Sequence, residues 1–245
     1  GLSTHELNQP GAYKQISDTS VIAQFKCIED DTSAKFNSLY PFYFLAWTTT
    51  PWTLPSNTAL TVGSKIEYAF IKTYNQYTKE KITVVLASSL IEKVFAKNFF
   101  VVDHYDELNA FIESDSKIPY CVINLCKGKD IENFRYERVW DESPLPIDNP
   151  ENAFRVILGD FVTTEDGTGI VHTAPTFGAD DYKAAKSAIP EVPPLQVLDS
   201  NGNKIPLVDL KGKFIDGIGM ISGKYVKNEY YKDGDIPKKS VDVEI

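Results

Sequence analysis

The feature that most limits how this chain folds is the rhythm of its apolar runs. Residues 20–27, 40–48, 68–74 and 81–87 are short stretches rich in β-branched and aromatic side chains, each bounded by polar or turn-forming residues. Runs of this length and make-up suit strands on a half-buried sheet and are too short for the helices of a bundle. Residues 121–125, 154–162 and 170–173 read as further strands. Helical spacing is confined to residues 88–95 behind a serine pair, 106–114 and 180–188. The predicted class is mainly β with packed helices (α+β), in a single domain over residues 1–245. The turn-rich stretch 1–19, with Asn8-Gln9-Pro10-Gly11, and the glycine- and charge-mixed stretch 201–245 read as connecting straps. Residues 240–245 read as a strand, and the proline- and acid-rich residues 141–152 as an exposed loop.

Composition narrows the function classes. With 42% hydrophobic and 24% charged residues the chain has enough apolar material for a core, so disorder is not expected. No run of 18 apolar residues occurs, so no membrane span is expected, and the first ten residues lack the basic and apolar regions of a secretory leader. Cys27, Cys121 and Cys126 form no CxxC pair, and His5, His104 and His172 are scattered. Neither a disulfide framework nor a metal site is expected, and a reduced, cytoplasmic setting fits best. A net charge of −9 argues against a broad phosphate-gripping surface. A nucleic-acid substrate then requires that another part of a larger protein hold most of it.

Two stretches carry candidate chemistry. In Trp47-Thr48-Thr49-Thr50-Pro51-Trp52-Thr53-Leu54-Pro55-Ser56-Asn57-Thr58 a strand ends and three threonines follow, with prolines that block any ladder and stiffen the turn. Such a turn either holds polar groups toward a ligand or is a rigid surface loop using Thr for its β propensity. In the second, residues 167–182, a glycine turn leads to a strand, a sharp turn and a helix start. His172 falls near the strand's carboxyl end, and Asp180 and Asp181 open the helix. Carboxylates there are either helix caps or functional groups, and a strand-end histidine is either structural or functional. The glycines of residues 217–223 do not match GxGxxG and imply no cofactor. A GxSxG nucleophile turn and an HExxH metal motif are both missing.

Taken together, WTTTPWTLPSN and GTGIVHTAPTFGADDY resemble the two signature stretches of the editing domain inserted into isoleucyl-tRNA synthetases. AFRVILGDFVTTEDGTG ahead of the second and GKYVKNEYY near the end extend the likeness over nearly the whole chain. Valyl and leucyl relatives resemble it less, tending to carry TTRP-type text at Thr49-Thr50-Pro51 and to lack a histidine at the place of His172. Thr176-Phe177 fills a turn where many relatives have Gly and His, and residues 127–138 match a basic stretch of the family only loosely. The nucleotide signatures HIGH and KMSKS are missing, so no ATP site is expected.

The resemblance implies a β-barrel-like editing domain of the class I synthetases that needs no cofactor. Its implied substrate is valine esterified to the 3′-terminal adenosine of isoleucine tRNA, which the chain would hydrolyse while sparing isoleucine. It also implies the rest of a parent synthetase as partner. Asp181, His172 and Thr50 are the implied catalytic set, with Asp181 pairing the substrate's α-ammonium. Thr48, Thr49, Thr50, Asn57, His172 and Asp181 are the implied substrate-binding set. The alternatives are a module that only docks a tRNA acceptor end, the editing domain of the valyl enzyme, and a β-rich scaffold with incidental polar loops.

Overall fold

The computed structural model describes residues 19–39, 41–232 and 234–245. The strap expected at 1–19 therefore lies, Thr19 apart, outside the described residues. Eleven strands follow one another among them: β1 Val21–Lys26, β2 Phe42–Thr48, β3 Ala59–Val62, β4 Glu67–Tyr74, β5 Lys81–Ala87, β6 Phe99–Val101, β7 Ile118–Lys127, β8 Arg155–Leu158, β9 Ile170–Thr173, β10 Val197–Leu198 and β11 Lys204–Ile205. Nine of them form one mixed sheet in the order β6-β7-β4-β5-β2-β9-β3-β8, with β1 also paired to β2. The class is mainly β with packed helices, as expected.

The aromatic runs explain why these strands pack as they do. Phe42, Phe44 and Phe70 are fully buried and meet edge-on, with ring centroids 5.0 to 5.6 Å apart, a geometry that matches positive ring edges to negative faces. Phe25, Tyr68, Phe134 and Tyr136 extend the same core. The strands do not close into a barrel: the hydrogen-bonded path ends at β6 on one side and β8 on the other. Isolated bridges, Cys27 to Tyr136 and Arg135 to Arg155, bring residues 135–136 between the end of β1 and β8, so the sheet wraps its core without a continuous seam.

Two pairings position the site. β2 and β9 run parallel, with Trp47 opposite Val171, and β3 runs antiparallel to β9, with Leu60 opposite His172 and Ala59 opposite Thr173. Parallel neighbours end at the same edge, so the segments that follow β2 and β9 leave the sheet side by side. The start of β9 is fixed by Gly169, at φ +72°, where an added Cβ would stand 2.4 Å from the Ala87 side chain. The Tyr68 hydroxyl donates to the Gly169 carbonyl at 2.7 Å, and Ala87 N donates to Thr168 O at 2.8 Å.

The structure departs from the sequence reading in several places. β3 and β6 were not anticipated as strands. Residues 88–95 form a 3-10 turn, Ser88–Leu90, running into the short helix Ile91–Val94, and 106–114 reduce to the 3-10 turn Tyr105–Ala110. Residues 240–245, expected as a strand, contain the helix Val241–Glu244. In a strand Val241 and Val243 would share a face; instead Val241 is buried and Val243 is exposed, as a 3.6-residue period separates them. Residues 195–245 carry a second hydrophobic cluster of Leu195, Leu207, Val208, Phe214, Ile218, Ile221, Val226 and Val241. The 141–152 stretch is largely irregular, though Ser143 is buried and its hydroxyl donates to Pro55 O at 2.6 Å. Among the described residues no helix is long and apolar enough to cross a membrane.

Candidate functional site

The threonine stretch leaves β2 and folds into a 3-10 turn over Pro51–Ser56. Pro51 suits its first position because the missing N–H would have no partner there. Thr48 closes the approach: its hydroxyl accepts the Thr50 backbone N–H at 3.1 Å and lies 3.3 Å from the Thr50 hydroxyl. Thr48 is buried, while Thr49 and Thr50 are exposed. Three residues on, Thr53 is buried and its hydroxyl donates to Thr50 O at 2.8 Å. The turn ends at Asn57, whose backbone N–H donates to Leu54 O at 3.0 Å.

Asn57 and His172 tie this turn to β9. Ala59 O accepts from Asn57 Nδ2 at 2.8 Å, and the Tyr136 hydroxyl donates to Asn57 Oδ1 at 2.7 Å, which together fix the orientation of the amide. Its other N–H then faces His172 Nδ1 at 2.9 Å, making that nitrogen the acceptor and placing the imidazole proton on Nε2. Nε2 stands 3.0 Å from the Thr53 hydroxyl, which accepts that proton and passes its own hydrogen to Thr50 O. Every polar atom of the chain from Tyr136 to Thr50 is thus satisfied within the protein. His172 is 6% exposed. Burial pushes its pKa down to about 4, against the smaller upward pull of a hydrogen bond with Thr53, so the ring is neutral at physiological pH. With both nitrogens engaged, it is built as a brace between the turn and the strand.

After β9 the chain reverses through Ala174–Gly178, where Phe177 N and Gly178 N both donate to Ala174 O, and enters the helix Ala179–Ser187. Asp180 points outward beside Lys183 in an exposed pair. Asp181 turns back, and its Oδ2 accepts the Ala174 backbone N–H at 2.9 Å. It packs so closely on Gly178 that a Cβ there would meet its carboxyl carbon at 2.7 Å. Burial raises the Asp181 pKa, the Ala174 N–H works the other way, and Asp180 adds a smaller upward push. Oδ1 has no hydrogen-bond partner among the described residues. A half-buried carboxylate with one oxygen fixed and one free is a ready acceptor for an ammonium group. The Trp52 and Phe177 rings meet edge-on at 5.0 Å, which places the threonine turn and the Ala174–Gly178 turn against each other.

No protein-family model matches the chain. Over 234 residues it is 47% identical to the isoleucine–tRNA ligase of Cytophaga hutchinsonii, covering 95% of this chain and 20% of that protein. Over 262 residues it is 46% identical to the isoleucine–tRNA ligase of Bacteroides fragilis, covering 100% and 22%. The chain is homologous, over nearly its whole length, to a segment of the isoleucine–tRNA ligases. It spans about a fifth of the length of these ligases. Among solved structures it is similar to the P. knowlesi cytosolic leucyl-tRNA synthetase editing domain, at 11% identity and a TM-score of 0.43, over 66% of this chain and 59% of that one.

The structure brings the residues singled out in the sequence to one edge of the sheet, but in different settings. Thr49 and Thr50 face outward, Asp181 is half-buried, and Thr48, Asn57 and His172 are enclosed. Two members of the constellation were missed. Thr53 sits three residues past Thr50, the spacing of a 3-10 turn, and that spacing is a usable signal. Tyr136 lies in the loosely matching 127–138 stretch, and nothing local announces that its hydroxyl reaches Asn57.

Proposed function

We propose that this chain is an editing domain that hydrolyses the ester of valine on the 3′-terminal adenosine of isoleucine tRNA and spares the isoleucine ester. One observation carries the reading: two turns leave adjacent parallel strands at the same sheet edge, one offering threonine hydroxyls and the other a carboxylate with a free oxygen. Asp181 Oδ1 receives the substrate's α-ammonium. Thr49 and Thr50 line the opening with hydroxyl and backbone groups that orient the ester and a water. Thr48 and Asn57 hold the turn, and His172 acts by position, since a neutral ring with both nitrogens occupied has no lone pair for a base's task. An aminoacyl ester is activated, so placing water and stabilising the developing oxyanion suffice without a covalent nucleophile.

Such a reaction answers a physical limit. A pocket built for isoleucine cannot exclude valine, because the missing methylene is worth only about 1 to 3 kcal/mol; isoleucyl-tRNA synthetase is a standard illustration of that limit. Residues 1–245 would act as one domain, with stretches 1–19 and 201–245 joining it to the rest of a synthetase that supplies most tRNA contacts. The acidic balance of the chain fits a brief visit by a single-stranded end.

The test is deacylation of valyl and isoleucyl esters of the same tRNA by the wild-type chain and by Asp181→Ala. Release of valine but not isoleucine, abolished by the substitution with the fold intact, is the expected result. Salt-sensitive binding without release would identify a docking module instead, and wild-type rates in the variant would remove Asp181 from the site.

A further inference from the structure

Asp242 is a buried acid with no part in the chemistry above. It lies in the helix Val241–Glu244 and is 5% exposed. Its Oδ1 accepts the Trp52 backbone N–H at 2.9 Å across 190 residues of sequence. Its Oδ2 pairs with Lys227 Nζ at 2.8 Å. The reason for that acceptor lies in the threonine turn itself. The first N–H groups of a helical turn have no internal partner, Pro51 has none to satisfy, and Thr50 makes no side-chain cap. Trp52 N–H is left over, and Asp242 meets it.

The surroundings make this contact more than a local cap. Trp52 and Phe177, one from each turn of the site, both pack against the second hydrophobic cluster, which also holds Val241. The threonine turn and the Ala174–Gly178 turn therefore stand on one floor built largely from residues 195–245, and Asp242 supplies a charge-assisted bond from that floor to the threonine turn.

We propose that Asp242 is a positioning residue for the ester-cleaving site, setting where Thr49 and Thr50 stand relative to Asp181. The inference rests on the proposed deacylase reading. It gives residues 195–245 a direct share in the site, and the site is incomplete without them.

The experiment compares the full chain with Asp242→Ala and Asp242→Asn, reading backbone amide spectra and the steady-state constants for valyl-tRNA. Asn keeps an oxygen for the Trp52 N–H; Ala does not. In Asp242→Ala the Trp52 amide should lose its hydrogen-bonded shift, the Thr49 and Thr50 amides should move, and kcat should fall about tenfold with KM little changed, the loss expected when one charge-assisted hydrogen bond no longer orients the turn. Asp242→Asn should restore most of both. Unmoved Thr49 and Thr50 amides, or an Asn variant as impaired as Ala, would overturn the proposal, the latter because the ion pair and not the acceptor would then matter. Should Asp242→Ala not fold, the double variant Asp242→Asn/Lys227→Met carries the test: near wild-type kcat supports the acceptor role, and a tenfold loss overturns it. A wild-type chain that cleaves no ester defeats the deacylase reading alone, because the amide shifts still decide whether Asp242 positions the turn.

Discussion

Replacing Asn57 by alanine tests the brace on which the site's geometry depends. The amide serves three buried partners: Ala59 O, His172 Nδ1 and the Tyr136 hydroxyl. Each orphaned buried group costs about 1 to 3 kcal/mol, so the lower ends alone bring Asn57→Ala to about 3 kcal/mol. Tyr136→Phe removes a single donor and leaves only Asn57 Oδ1 unmatched, for about 1 kcal/mol. The decisive point is how the two combine. With Asn57 already alanine, the Tyr136 hydroxyl is itself an orphan, so its removal should be neutral or stabilising. Urea unfolding followed by tryptophan fluorescence reads all four proteins, and the larger loss should move the midpoint by on the order of 1 M at constant slope. If Tyr136→Phe costs the same in both backgrounds, the Tyr136–Asn57 bond does not exist as described and the chain of bonds to His172 loses its anchor.

Two further outcomes follow from the ionisable groups. His172 has a folded-state pKa of about 4 against 6.5 for the free ring, so the unfolded chain binds the extra proton between those values and stability should fall as pH drops from about 6.5 to 4, by up to about 3 kcal/mol. A pH series of unfolding midpoints checks this, and His172→Gln should flatten the slope. Asp181 has its pKa raised by burial, so ionising it in the folded state carries a cost that appears as pH rises past the ordinary value of 3.8. Asp181→Asn, which keeps an oxygen for the Ala174 N–H, should therefore leave melting temperature unchanged or higher at neutral pH while valine release is lost; a lowered melting temperature would mean that the charge itself supports the fold.

Much of the sheet was legible because its strands announce themselves. β5 and β9 match their predicted limits, and β1, β2 and β4 differ by no more than two residues at an end, since β-branched and aromatic runs bounded by turns have few other uses. β3 escaped because Ala59–Val62 is short and buried throughout, and so it shows no alternation to read. The second cluster escaped for another reason. Leu207, Phe214, Ile218 and Ile221 recur at helical intervals, but Gly212, Gly217 and Gly219 stand among them at positive φ and break any helix, so their convergence exists only in three dimensions. The same contrast divides the site. Thr48 to Thr50, Asn57, His172 and Asp181 lie in two continuous stretches that could be picked out by composition and by likeness to a family. Tyr136 and Asp242 reach those stretches from 79 and 190 residues away, through single hydrogen bonds that leave no local pattern.

The most direct measurement is a crystal structure of the chain with a nonhydrolysable valyl-adenosine analogue. The ammonium should lie within hydrogen-bond distance of Asp181 Oδ1, with the scissile carbonyl beside Thr49 and Thr50 and His172 still bonded to Thr53 and Asn57. An analogue seated elsewhere on the sheet, or an isoleucyl analogue held there equally well, would contradict the account.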